Sequence, residues 1–207
     1  MSPLNVEEKA FLLLLARKSL EAAVCNGKVG TIVEVSPALQ VSAGAFVSLH
    51  KRGHLRGCIG YVQPTHPLHR TVVEATMASA LHDARFEPVR PEELPEIEIE
   101  ISVLSRLQEV HPEEVQVGTH GLMISQGQAR GLLLPQVAIE HQWERERFLE
   151  ETCRKAGLPP AAWRFGAKVE VFTAEVFNER FLGFEPMEGD LPATPVLPHP
   201  LEKLLPD

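Results

Sequence analysis

With 207 residues the chain has room for one generous domain or for two small lobes sharing a core. Its formal charge of -8 disfavours non-specific binding to nucleic acid, which needs a concentrated basic face. Three widely spaced cysteines, Cys25, Cys58 and Cys153, with no CxxC pair, exclude a disulfide framework and a zinc or redox dithiol site.

Asn5 followed by Glu8 resembles a capping box, and Phe11, Leu14, Leu15 and Ala22 continue at helical spacing until Asn26-Gly27, so the first element is an amphipathic helix. Its apolar run follows Glu7 and Glu8 and is cut by Arg17, far short of the roughly 20 residues of a membrane span, and the chain reads as cytoplasmic. Residues 44–61 read as a β-hairpin turning through Lys51-Arg52-Gly53. With a loop of Lys51 to Gly53, Ser48 faces Arg56 and Phe46 faces Cys58; with only Arg52-Gly53 in the loop, Arg56 faces Leu49 and Cys58 faces Val47. The three-residue loop is preferred because it sets polar Ser48 and His50 beside His54 and Arg56.

Thr65 is placed to cap a second helix running to about Leu81, with Pro67 in its first turn. Pro88, Pro91 and Pro95 then punctuate a connector at 87–95, read as the separator of two lobes within a domain of residues 1–185. Ile97, Ile99, Ile101 and Val103 alternate with Glu96, Glu98, Glu100 and Ser102, the pattern of a half-exposed antiparallel strand with a solvated acidic face. A further hairpin (121–124 and 129–134, turning near Gln126-Gly127), a helix over 143–156 stopped by Gly157, and a strand through Val169, Val171 and Thr173 follow. From Pro186 to Asp207 the chain is a proline-rich tail without periodicity. The fold class is α+β with a mainly antiparallel sheet flanked by helices.

Period-two alternation places His54, Arg56 and Cys58 on one strand face, which brings a cation, a thiol and an imidazole together. Cys58 is a candidate nucleophile, with Arg56, Lys51 and Arg52 as sources of positive charge; the other reading is a small packed side chain. Arg56 is a candidate clamp for a carboxylate or phosphate, with Gly57 and Gly60 admitting a ligand to the backbone, or else the partner of Asp83 or of a glutamate on the acidic strand. Asp83 and Arg85 either hold that clamp or line the same cleft. His50, His54 and His120 are candidate bases, while His66 and His69 lack a carboxylate or cysteine at matching spacing, so no metal and no cofactor is expected. Cys25 and Cys153 fall on apolar helix positions, where packing is the default, and Trp143 and Trp163 are expected to bury against the core.

The run Leu55-Arg56-Gly57-Cys58-Ile59-Gly60 resembles the LRGCIG signature of the AMMECR1 family. Further matches follow at Ser79-Ala80-Leu81, Asp83-Ala84-Arg85-Phe86, Glu93-Leu94-Pro95, His120-Gly121, 133–138, Phe148-Leu149, Cys153 and 155–158, so the resemblance covers roughly residues 8 to 178. It implies an intracellular α+β protein with a larger and a smaller lobe, the signature lying near a cleft between them. It also implies company: relatives belong to a gene set encoding a Memo-like protein and a radical SAM protein. No established reaction comes with the family.

Two classes of function stay open. One is an enzyme or enzyme subunit that holds a small anionic metabolite around Arg56, Cys58 and the two glycines; the other is a non-catalytic adaptor whose signature strand is a platform for a partner protein. RNA binding through Lys51, Arg52, Arg56 and Arg85 is disfavoured by the net charge and by the lack of interleaved aromatic residues. The Pro-Leu repeats of the tail offer a contact for a homo-oligomer, with a solvated extension as the simpler reading.

Overall fold

The computed structural model of the chain describes residues 3–25, 27, 35–63 and 65–182. The tail from Pro186 and Asn26 of the expected helix stop lie outside the described residues. Two compact units divide the chain, one of residues 104–175 and one of Ser2–Val103 with the segment from Val176.

The unit of Ser2–Val103 begins with α1 (Val6–Val24). Its capping box forms as expected: Asn5 Oδ1 accepts from the Glu8 N–H at 2.8 Å and the Glu8 carboxylate accepts from the Asn5 N–H at 3.0 Å, an arrangement worth about 1 kcal/mol. After the short α2 (Pro37–Gln40) come β1 (Ala45–Lys51), β2 (His54–Tyr61), α3 (Leu68–Leu81) and β3 (Ile97–Leu104). With β8 (Ala174–Asn178) these strands form a sheet in the order β2-β1-β3-β8. Ala45, Val47 and Leu49 of β1 and Ile97, Ile99 and Ile101 of β3 point into a core shared with Leu12, Leu13 and Leu20 of α1 and Leu68 and Val72 of α3. Thr65 does not cap α3. Pro67, with an extended ψ of 149°, occupies the cap position, and the Thr65 hydroxyl pairs instead with His66 Nδ1.

The hairpin takes the shorter Arg52-Gly53 loop rather than the preferred three-residue one, and beyond the turn departs from both expected registers. Arg52 and Gly53 form a two-residue turn with φ of 52° and 79°, the left-handed pair that suits a tight hairpin, and Lys51 opposes His54. A bulge follows: His50 opposes Leu55, Leu49 opposes Gly57, and Ser48 opposes Cys58. Arg56 is the extra residue. One inserted residue exchanges the faces of everything beyond it, so Cys58 joins Phe46, Ser48 and His50 on the face away from the helices, while Gly57 turns beneath α3. A Cβ on Gly57 would lie 2.2 Å from the Ser79 carbonyl oxygen. The Ser79 hydroxyl accepts from the Ile59 N–H and donates to the Val47 carbonyl, both at 2.8 Å, so α3 is fastened to β1 and β2 at this point.

The proline-punctuated stretch does not divide the chain; the units part at 103/104 and 175/176. Its prolines edge a 3-10 helix at Pro91–Glu96, and Val89 is buried with its N–H bonded to the Ala80 carbonyl. Far along the chain, the buried Glu179 accepts from Arg17 in bidentate fashion and from the Ile99 N–H. Arg17 donates further to the Leu94 and Ile97 carbonyls, so one ion pair ties α1, β3 and the segment after β8.

The second unit comprises β4 (Gln108–Glu109), β5 (Gly121–Gln126), β6 (Ala129–Leu133), α4 (Pro135–Glu140), α5 (Arg145–Lys155) and β7 (Lys168–Phe172). Its sheet order is β4-β7-β5-β6, with antiparallel pairing throughout. Leu122, Ile124, Val169 and Val171 pack against Phe148, Leu149 and Cys153 of α5, as the helix pattern led one to expect. Gly157, at φ 74°, ends that helix. Trp143 and Trp163 are partly buried against this core. Cys153 is fully buried, but Cys25 is exposed at the end of α1, which corrects its expected packing. No helix among the described residues is long and apolar enough to cross a membrane.

Candidate functional site

The bulge separates the residues expected to act together. Arg56 turns to Glu93, with Nε to Oε1 at 3.1 Å and Nη2 to Oε2 at 3.0 Å, and also donates to the Glu87 and Pro88 carbonyls. Lys51 reaches the same Glu93 Oε1 at 2.9 Å. Because Lys51 belongs to the helix-facing side of β1, Arg56 and Cys58 leave the sheet on opposite faces, contrary to the shared face expected from strict alternation. His54, opposite Lys51, also lies away from Cys58.

Arg56 therefore finds its carboxylate on the 3-10 helix rather than at Asp83 or on the acidic strand. Only 16 % of its side chain is exposed. The adjoining depression of about 430 Å³ is lined by Lys51, Arg56, Arg90, Glu87, Glu92 and Glu93. An anion binding there would have to displace Glu93, whose carboxyl the Arg56 guanidinium holds down to about 2. The two glycines are equally committed, Gly57 under Ser79 and Gly60 under the Phe46 ring, where an added Cβ would come within 2.3 Å of ring carbons. Neither opens the backbone to a ligand, which corrects the role expected for them.

Cys58 has a different cation. β2 is an edge strand, and the Cys58 N–H and C=O, which point outward from it, are both taken: the N–H donates to Asp83 Oδ2 at 2.8 Å and the carbonyl accepts from Arg85 Nη2 at 3.1 Å. Asp83 grips Arg85 at Nε and Nη2, 2.9 Å and 2.6 Å away. The Asp83 carboxylate is only 4 % exposed, whereas the Arg85 side chain is 57 % exposed. The Arg85 guanidinium holds the Asp83 carboxyl well below the usual carboxylate range, with the Cys58 N–H contributing. In return Asp83 raises Arg85 above its ordinary value, and the Cys58 thiol adds to that rise. Among the described residues Arg85 Nη1 has no hydrogen-bond partner, so a donor of this cation is open to a ligand.

The thiol is half-buried and accepts a hydrogen bond from the Ser48 hydroxyl at 3.2 Å. On the same sheet face β3 sets Glu100 opposite Ser48 and Glu98 opposite His50. Both glutamates are half-buried rather than solvated, and Glu98 pairs with Arg180 at 2.9 Å. Of the candidate bases, His50 alone shares the Cys58 face. His120 lies in the other unit, where its Nδ1 accepts from the Gln116 N–H. His66 meets Thr65 and Glu74, while His69 Nδ1 meets the Leu39 carbonyl.

Residues 13–177 match the sequence profile of AMMECR1. The chain belongs to the AMMECR1 family. A protein of Thermococcus gammatolerans is 44% identical over 184 residues, covering 83% of this chain and 90% of its own. One of Methanothermobacter thermautotrophicus is 41% identical over 187 residues, covering 86% and 97%. Among solved structures, the uncharacterized protein PH0010 of Pyrococcus horikoshii is 40% identical with a TM-score of 0.76, covering 83% of this chain and 91% of its own. This member of the AMMECR1 family is thus α+β with two antiparallel sheets, and its Leu55–Gly60 run sits on an edge strand, at the bulge and the brace described above.

Proposed function

We propose that this AMMECR1-family chain binds a small anionic molecule at Arg85 and presents Cys58 to it as a nucleophile. The observation that supports this reading is the brace: a buried carboxylate holds a half-exposed guanidinium and the peptide of a cysteine in one rigid unit. A cation fixed at the peptide of a cysteine would hold an anionic electrophile within reach of the sulfur. Ser48 adds a donor to the sulfur, and His50 is the candidate base on the same face. Action in the cytoplasm, where thiols stay reduced, alongside Memo-like and radical SAM proteins, belongs to the same proposal.

A second reading is favoured by a specific observation. Arg56, Gly57 and Gly60 all have packing partners, which suits a signature that shapes a platform for a partner protein. The two readings part on the thiol. In a chain carrying Cys25→Ser, iodoacetamide should label Cys58 at pH 7 at least tenfold faster than the buried Cys153, and Arg85→Gln should slow that labelling about tenfold, the effect of about 1.4 kcal/mol of lost charge stabilisation. Equal rates at the two cysteines would favour the platform.

A further inference from the structure

We propose that Glu98 is a positioning residue for His50, completing a carboxylate, imidazole and thiol set across three strands; this rests on the reading of Cys58 as a nucleophile. His50 of β1 lies directly opposite Glu98 of β3, and two residues before it Ser48 lies directly opposite Cys58 of β2. Cβ atoms of directly opposed residues lie about 5 Å apart, whereas His50 and Cys58 are separated by the bulge at Leu49/His50. No hydrogen bond or ion pair joins His50 to Glu98 or to Cys58 in this conformation, so a rotation of the His50 side chain is what would bring the imidazole to the carboxylate and, across the Leu49/His50 bulge, toward the sulfur. Nucleophile, base and orienting acid recur in this order wherever a thiol or hydroxyl is activated by a neighbouring histidine.

The surroundings suit those roles. The Glu98 side chain is 14 % exposed, and Arg180 takes its Oε2, which fixes the carboxylate from the side of the following segment. Among the described residues neither Glu98 Oε1 nor the His50 ring has a hydrogen-bond partner, so each is open to the other. The charged and titratable groups around the pair are Glu98 and Glu100 from β3, Arg180 behind Glu98, and Cys58 from β2 with Asp83 and Arg85 at its edge; Lys51 leaves β1 on the opposite face. The step is one proton transfer: the Cys58 thiol gives its proton to the neutral imidazole, leaving a thiolate next to Arg85 and an imidazolium facing Glu98. No other bond changes.

The test is the pH–rate profile of iodoacetamide labelling at Cys58, in the Cys25→Ser chain and with His50→Gln, Glu98→Gln or Glu98→Asp added, each checked for an unchanged circular dichroism spectrum. His50→Gln should lower the rate at pH 7 about tenfold and move the profile to higher pH, Glu98→Gln should lower it about threefold in the same direction, and Glu98→Asp should restore the parent profile. Fast labelling with a profile unmoved by any of these would overturn the set and leave Arg85 and Ser48 as the thiol's support. If the parent chain already labels Cys58 no faster than Cys153, the nucleophile reading itself falls, and the Glu98 role with it.

Discussion

Replacing Gly57 by alanine should cost more than about 3 kcal/mol and leave little folded protein, because the added Cβ meets backbone rather than a movable side chain. The clash is with the Ser79 carbonyl oxygen, 2.2 Å from the Cβ position. Relief requires α3 to lift, which would also pull the Ser79 hydroxyl from the Val47 carbonyl and the Ile59 N–H. Against a total stability of about 5–15 kcal/mol, that loss is severe. Gly60→Ala should be costly as well, because its Cβ would meet the Ala45 carbonyl oxygen at 2.6 Å besides the Phe46 ring at 2.3 Å. Urea unfolding of Gly57→Ala is the measurement; a stability loss under about 1 kcal/mol would contradict the assigned packing of α3 on β2.

Removing the Asp83 carboxylate is the second large effect. Asp83→Asn should lower stability at pH 7 by about 2–3 kcal/mol, the worth of charge-assisted hydrogen bonds to Arg85 and to the Cys58 N–H. Its folded-state pKa is depressed, so the stabilisation is fully present above the unfolded value near 3.8 and is lost as pH falls through the folded one. Glu93 behaves likewise, its contribution declining between its ordinary 4.5 and about 2. The gap between wild type and Asp83→Asn should therefore narrow as pH drops from 5 to 2, while Arg85, outermost in the brace, loses its anchor at every pH. A gap that stays constant with pH would show that the carboxylate is not ionised in the fold.

Much of this architecture was legible in the chain itself, and what was missed has a common cause. The Asn5 and Glu8 cap, the isoleucine alternation of β3 and the Phe148, Leu149 and Cys153 face of α5 are local patterns, and local patterns can be read along the chain. The bulge at Arg56 leaves no mark in composition, yet it reverses the face of a side chain and so gives Cys58 a different cation. Counting by twos assigned Arg56 to the thiol; the edge of the strand supplied Arg85. Arg17 and Glu179, like Arg56 and Glu93, are partners separated by long stretches of chain, and no spacing rule connects them. The Asp83 and Arg85 pair was visible as residues and obscure as a device, because its object is the peptide of Cys58 rather than another side chain.

The central claim is a small anion held at Arg85 beside Cys58. Native mass spectrometry of the protein purified gently from its own cells, followed by denaturation and analysis of released small molecules, addresses it directly. The account predicts a bound anionic metabolite in the wild-type protein that is absent from Arg85→Gln and retained by Cys58→Ser. Absence of any small molecule from the wild type, together with a stoichiometric protein partner cross-linking to the Ser48 and Cys58 face, would contradict it.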